Sequence, residues 1–123
     1  MKGRFIILTI LAYSFIGCSK NHCRDLKIEI TGANAQIDQL DFRLVSGLKS
    51  YSNPSESVTE SNINLPYIQG ITFCKKDFDY NLRCYDSDTS IILTLKLYSD
   101  NVLIKQTTGS PIDFVELAGG IND

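Results

Sequence analysis

The chain has 123 residues, enough for one domain with a short appendage. Its 43% hydrophobic and 21% charged residues exclude a disordered or fibrous chain. Twelve Lys and Arg against 14 Asp and Glu leave no basic excess for nucleic-acid binding.

The N-terminal segment differs from the rest. Lys2 and Arg4 make a short basic start, and Phe5 to Gly17 then runs 13 residues without a charge. A membrane-spanning helix needs about 20 apolar residues. Thirteen suit the apolar region of a secretory signal, here over residues 1–17. Phe15-Ile16-Gly17-Cys18 resembles the lipobox of bacterial lipoproteins, with Phe15 where that family mostly has Leu. The resemblance covers residues 1–18 alone. It implies cleavage between Gly17 and Cys18 and diacylglyceryl attachment to the Cys18 thiol, which anchors the chain to a membrane. Residues after the lipidated Cys direct sorting in that family. Ser19, Lys20 and Asn21 lack the Asp that retains such proteins at the inner membrane, so the outer membrane facing the periplasm is the implied address. The rival reading is an ordinary signal cut after Ser19, giving a freely secreted protein. Removing Lys2 and Arg4 from the 12 basic residues leaves 10 against 14 acidic ones, a mildly acidic mature chain.

Residues 18–25 read as a tether and residues 26–123 as a folded domain. Leu26, Ile28 and Ile30 alternate with Lys27, Glu29 and Thr31. Leu40, Phe42 and Leu44 repeat the pattern, as do Ile91, Leu93, Leu95 and Leu97. Alternation of this kind predicts strands with one buried face. Weaker strands are predicted at Ile68–Cys74, Tyr80–Tyr85, Val102–Thr107 and Ile112–Leu117. Ser99-Asp100-Asn101 reads as a tight hairpin turn. The polar stretch Ser46–Pro66 reads as a long loop with a short edge strand near Tyr51 or Val58, and Ala118–Asp123 as a fraying tail. The expected fold is all-β, a small antiparallel β-sandwich of immunoglobulin-like or transthyretin-like kind, with a small closed barrel as the alternative.

With Cys18 lipidated, Cys23, Cys74 and Cys84 remain, so one stays unpaired within the chain. The expected disulfide is Cys74–Cys84, which leaves Cys23 as the odd thiol in the tether. A zinc site from His22, Cys23, Cys74 and Cys84 lacks the close Cys pairs of structural zinc sites, and no metal is expected. Asp77, Asp79, Asp86 and Asp88 are candidate calcium ligands, but read better as turn caps. Tyr51, Tyr67, Phe73, Phe78, Tyr80, Tyr85 and Tyr98 are candidates for an aromatic ligand face. No catalytic motif stands in the chain, and no cofactor is expected. The expected role is non-catalytic: a lipid-anchored envelope module that binds a protein partner. The alternative is a glycan- or small-ligand-binding module using exposed tyrosines.

Overall fold

A computed structural model describes residues 23–33 and 36–122. The alternating segments form eight strands: β1 (Arg24–Gly32), β2 (Gln36–Val45), β3 (Glu56–Asn64), β4 (Tyr67–Phe73), β5 (Phe78–Tyr85), β6 (Leu93–Ser99), β7 (Val102–Gly109) and β8 (Val115–Ile121). They pair antiparallel in two four-stranded sheets, ordered β4-β1-β6-β7 and β3-β2-β5-β8. The molecule is a small β-sandwich, as expected.

Only β2–β3 and β6–β7 are hairpins within a sheet; the other connections cross between sheets. Immunoglobulin constant domains keep their first two strands in one sheet, whereas here β1 and β2 lie in opposite sheets. The inward residues of both sheets form one apolar core. Leu26, Ile28, Ile30, Leu93, Leu95 and Leu97 come from one side, and Leu40, Phe42, Leu44, Tyr80 and Leu82 from the other. Phe73 and Phe78 seal one end of it edge to face, with ring centroids 4.9 Å apart.

The β6–β7 turn forms as predicted. Asp100 and Asn101 take φ of 51° and 67°, the left-handed pair that a two-residue hairpin requires. The Asp100 amide donates to the Asp25 carbonyl, and the Asp25 amide donates to Asp100 Oδ1 at 3.0 Å. The hairpin tip is thereby tied to the start of β1.

Three expectations are corrected. The stretch Ser46–Pro66, expected to be a long loop with a short edge strand near Tyr51 or Val58, holds a longer edge strand around Val58, β3, nine residues long. It is an edge strand of which only Ile63 is fully buried, so its text is polar and carries no alternating signal. Residues 118–121 of the tail expected to fray belong to β8, which pairs with β5 from Val115 to Ile121. Its small residues serve packing. Gly119 lies opposite Tyr80, and a Cβ there would stand 2.6 Å from the Tyr80 Oη.

The third correction concerns the cysteines. The disulfide is Cys23–Cys74, and Cys84 is a free, buried thiol. Arg24 pairs with Phe73, so their neighbours Cys23 and Cys74 fall at the same end of the first sheet. Cys84 sits six residues along β5 from Phe78, about 20 Å away at the usual rise per residue. A disulfide needs Cα atoms within about 7 Å, so the expected Cys74–Cys84 pair is geometrically closed. The expected tether of 18–25 also shortens, because Cys23 is cross-linked and β1 begins at Arg24.

Cys84 is wholly enclosed between the sheets, and burial pushes its thiol up from 9.0 to about 12. A raised thiol pKa stabilises the fold fully below pH 9. That contribution falls away between pH 9 and about 12, at about 1.4 kcal/mol per pH unit. Peptide-mapped alkylation at pH 8 should leave Cys84 unmodified in the native protein and modify it after unfolding. The Cys84→Val variant should lose stability less steeply above pH 9, measured by denaturant midpoints along a pH series.

A candidate binding face on the second sheet

Side chains that point inward build the core, so chemistry must come from the alternate residues. On the second sheet the outward residues of β2, β5 and β8 stand in register. Asp41 pairs with Thr59 on one side and Arg83 on the other, and Arg83 pairs with Glu116. The next row holds Arg43 and Asn81, followed by the small Ala118.

These groups hold one another in place. Arg43 grips Asp41 through two nitrogens, Nη2 at 2.9 Å and Nε at 3.1 Å, and Thr59 Oγ1 donates to the same carboxylate at 3.2 Å. Glu116 Oε2 accepts from Arg83 Nε at 2.9 Å and from Asn81 Nδ2 at 2.6 Å. The Asn81 amide, then the Arg83 guanidinium, hold the Glu116 carboxyl below its usual range. The guanidiniums stay accessible, with side chains 37% exposed at Arg43 and 40% at Arg83.

Aromatic rings close both ends of the row. The Arg83 guanidinium lies 4.3 Å from the centroid of Phe114, which meets Tyr85 edge to face at 5.7 Å. At the other end, Arg43 Nη1 donates to the Tyr51 carbonyl, and Tyr51 Oη donates to the Tyr80 carbonyl at 3.4 Å. Burial, then the Asp79 and Glu116 carboxylates, raise the Tyr51 hydroxyl above its ordinary value, so it remains a neutral donor. Asp41, Arg43, Tyr51, Asn81, Arg83 and Tyr85 line a groove of about 190 Å³. That is smaller than the usual 300–1,000 Å³ of a small-molecule pocket. It suits one side chain or one sugar unit of a larger partner.

The seven expected aromatics do not form one face. Phe73, Phe78 and Tyr80 are core residues. Tyr67 belongs to the first sheet and donates to Glu60 at 2.6 Å. Tyr98, also on the first sheet, donates to Glu29 at 3.2 Å, and the Lys27 ammonium lies 4.6 Å from its ring centroid. Only Tyr51 and Tyr85 reach the groove. Arg43, Asn81, Arg83 and Glu116 were missed from the sequence. The alternation marks them as outward residues, but adjacency across strands depends on register, which one sequence does not display.

The four aspartates do not converge. Asp77 and Asp79 lie at the start of β5, while Asp86 and Asp88 follow its end. Asp86 accepts the Asp38 and Asp88 amides, and Asp88 accepts the Ser90 amide, which is the behaviour of turn caps. Among the described residues, no group of three or more His, Cys, Asp and Glu could hold a metal ion. The Cys23–Cys74 bond also occupies two of the four residues weighed for a zinc site. Gly17, Cys18 and His22 lie outside the described residues. No protein-family model and no curated protein matches the sequence.

Proposed function

We propose that this chain is a lipid-anchored, non-catalytic binding module of the cell envelope. Cys18 carries the anchor, the outer membrane is its site, and the groove on the second sheet engages a protein partner. The anchor rests on the basic start, the short apolar run and Gly17-Cys18. The binding role is carried by one observation: two accessible arginines, each braced by a carboxylate, stand between Tyr51 and Tyr85. Arg and Tyr dominate interface hot spots, and bracing lowers the entropy lost when they are engaged.

The anchor is tested by intact mass of membrane-extracted protein. A mass of residues 18–123 plus acyl groups, absent in Cys18→Ala, is the expected result. An unmodified soluble chain starting after Ser19 would defeat it. The groove is tested with a photo-cross-linker in place of Thr59 at its rim. A discrete adduct should form in cells and weaken about 30-fold in Arg83→Ala, the loss expected of a hot spot. Stability should change by at most about 1 kcal/mol, because the Arg83–Glu116 pair is solvent-exposed. Equal cross-linking in the variant would move the interface elsewhere.

A second reading has its own support. Tyr51 and Tyr85 border a groove whose lining includes Asp41 and Asn81, which suits the hydroxyls of a glycan. Titration with cell-wall oligosaccharides, followed by shifts of the Asn81 side-chain amide in NMR, distinguishes it from a protein partner.

A further inference from the structure

The strand directions give the sandwich two unlike ends. Cys23, the β2–β3 loop (46–55), the β4–β5 loop (74–77) and the β6–β7 turn (100–101) share one end. The other end holds the segments 65–66, 86–92 and 110–114. The Cys23 end carries the larger share of the exposed aliphatic side chains. Leu48 is fully exposed (106%), and Val102, Leu103 and Ile104 follow the turn as three consecutive exposed apolar residues (62%, 43% and 40%). The opposite end exposes three, Ile68 near the start of β4 and Ile92 and Ile112 in its loops, none of them next in sequence to another exposed large apolar residue. Charge divides the same way. The loops of the Cys23 end carry Lys49, Lys75 and Lys76 with Asp77 and Asp100, and Asp100 Oδ1 is occupied by the Asp25 amide. The opposite loops carry Asp86, Asp88 and Asp113 and, among the described residues, no Lys or Arg.

We propose that the Cys23 end rests on the lipid bilayer, with Leu48 and Val102–Ile104 at the headgroup boundary and Lys49, Lys75 and Lys76 beside anionic headgroups. The inference builds on the anchor at Cys18 proposed above. From Cys18 to Cys23 the chain has five residue steps, a reach of at most about 18 Å. The disulfide ties Cys23 to the β4–β5 loop, so the tether cannot lengthen by peeling β1 away. A strand of nine residues spans about 30 Å, which carries the opposite end away from the surface. Apolar residues backed by lysines are the composition of segments that sit at a bilayer interface.

The test uses the full, lipid-bearing chain in vesicles containing phosphatidylglycerol, without reductant. An environment-sensitive fluorophore is placed at Leu48→Cys, Ile104→Cys or Ile112→Cys, and quenching by lipids labelled near the headgroup is read. Leu48→Cys and Ile104→Cys should show a blue shift and strong quenching, and Ile112→Cys neither. Lys75→Glu combined with Lys76→Glu should reduce the quenching at both sites. Equal, weak quenching at all three positions, with the acyl adduct present by mass and the protein sedimenting with vesicles, overturns the docking and leaves the anchor standing. Absence of the adduct and of sedimentation overturns the anchor and the docking together.

Discussion

Cys74→Ser lowers the unfolding free energy by about 4 kcal/mol on the chain-entropy estimate, because the Cys23–Cys74 bond closes a loop with a sequence separation of 51. Urea unfolding under oxidising conditions measures it directly. Cys23→Ser should match Cys74→Ser, and the double variant should lose no more than either single one, because one bond is broken in each case. Reductant should destabilise the wild type by the same amount and leave the variants unchanged. Cys84→Ser gives the contrast, since no disulfide is lost. Its cost arises from enclosing a hydroxyl in the apolar core, about 1–3 kcal/mol. If Cys84→Ser proved reductant-insensitive and Cys74→Ser did not, the pairing would have to be redrawn.

Phe42→Ala costs about 4 kcal/mol, the middle of the range for emptying a buried aromatic site. Phe42 is 1% exposed and stands on β2 between β3 and β5, opposite Val58 and Leu82. Its loss leaves a cavity in the middle of the second sheet that strands paired on both sides cannot collapse to fill. Ile104→Thr, by contrast, should change stability by about 0.5 kcal/mol or less, because its side chain is 40% exposed on an edge strand and fills no enclosed site. Chemical denaturation of both variants in detergent solution tests the pair. A large cost at Ile104 would show that this end of β7 is packed in the folded protein.

The same two residues mark what a sequence can display. Phe42 alternates with Asp41 and Arg43, and a period of two is enough to name its buried face. Val102, Leu103 and Ile104 are equally apolar, yet they lie on an edge strand where inward and outward lose their meaning. β7 contains a register shift opposite Leu97 and Tyr98 that breaks the alternation there. The extent of β3 beyond Val58 was hidden for a related reason, since a strand with one neighbour and little burial needs few apolar residues. The groove on the second sheet was hidden more deeply. Asp41 and Arg83 are far apart in the chain, and only the β2–β5 register makes them neighbours. The cysteines misled through proximity in the text. Cys74 and Cys84 flank a short segment, but that segment leads from one sheet to the other and most of the way along a strand.

The crossing connections have a kinetic consequence. Among the described residues β1 is the first strand in chain order, yet its two neighbours are β4 and β6, and Leu26 meets Ser99 only when nearly the whole domain exists. Pairings so distant along the chain make folding slow, in the range of milliseconds to seconds. No early fragment can satisfy both edges of β1. The first sheet is therefore complete only when β6 and β7, up to Gly109, have joined it, and β1 stays half-paired until late in folding.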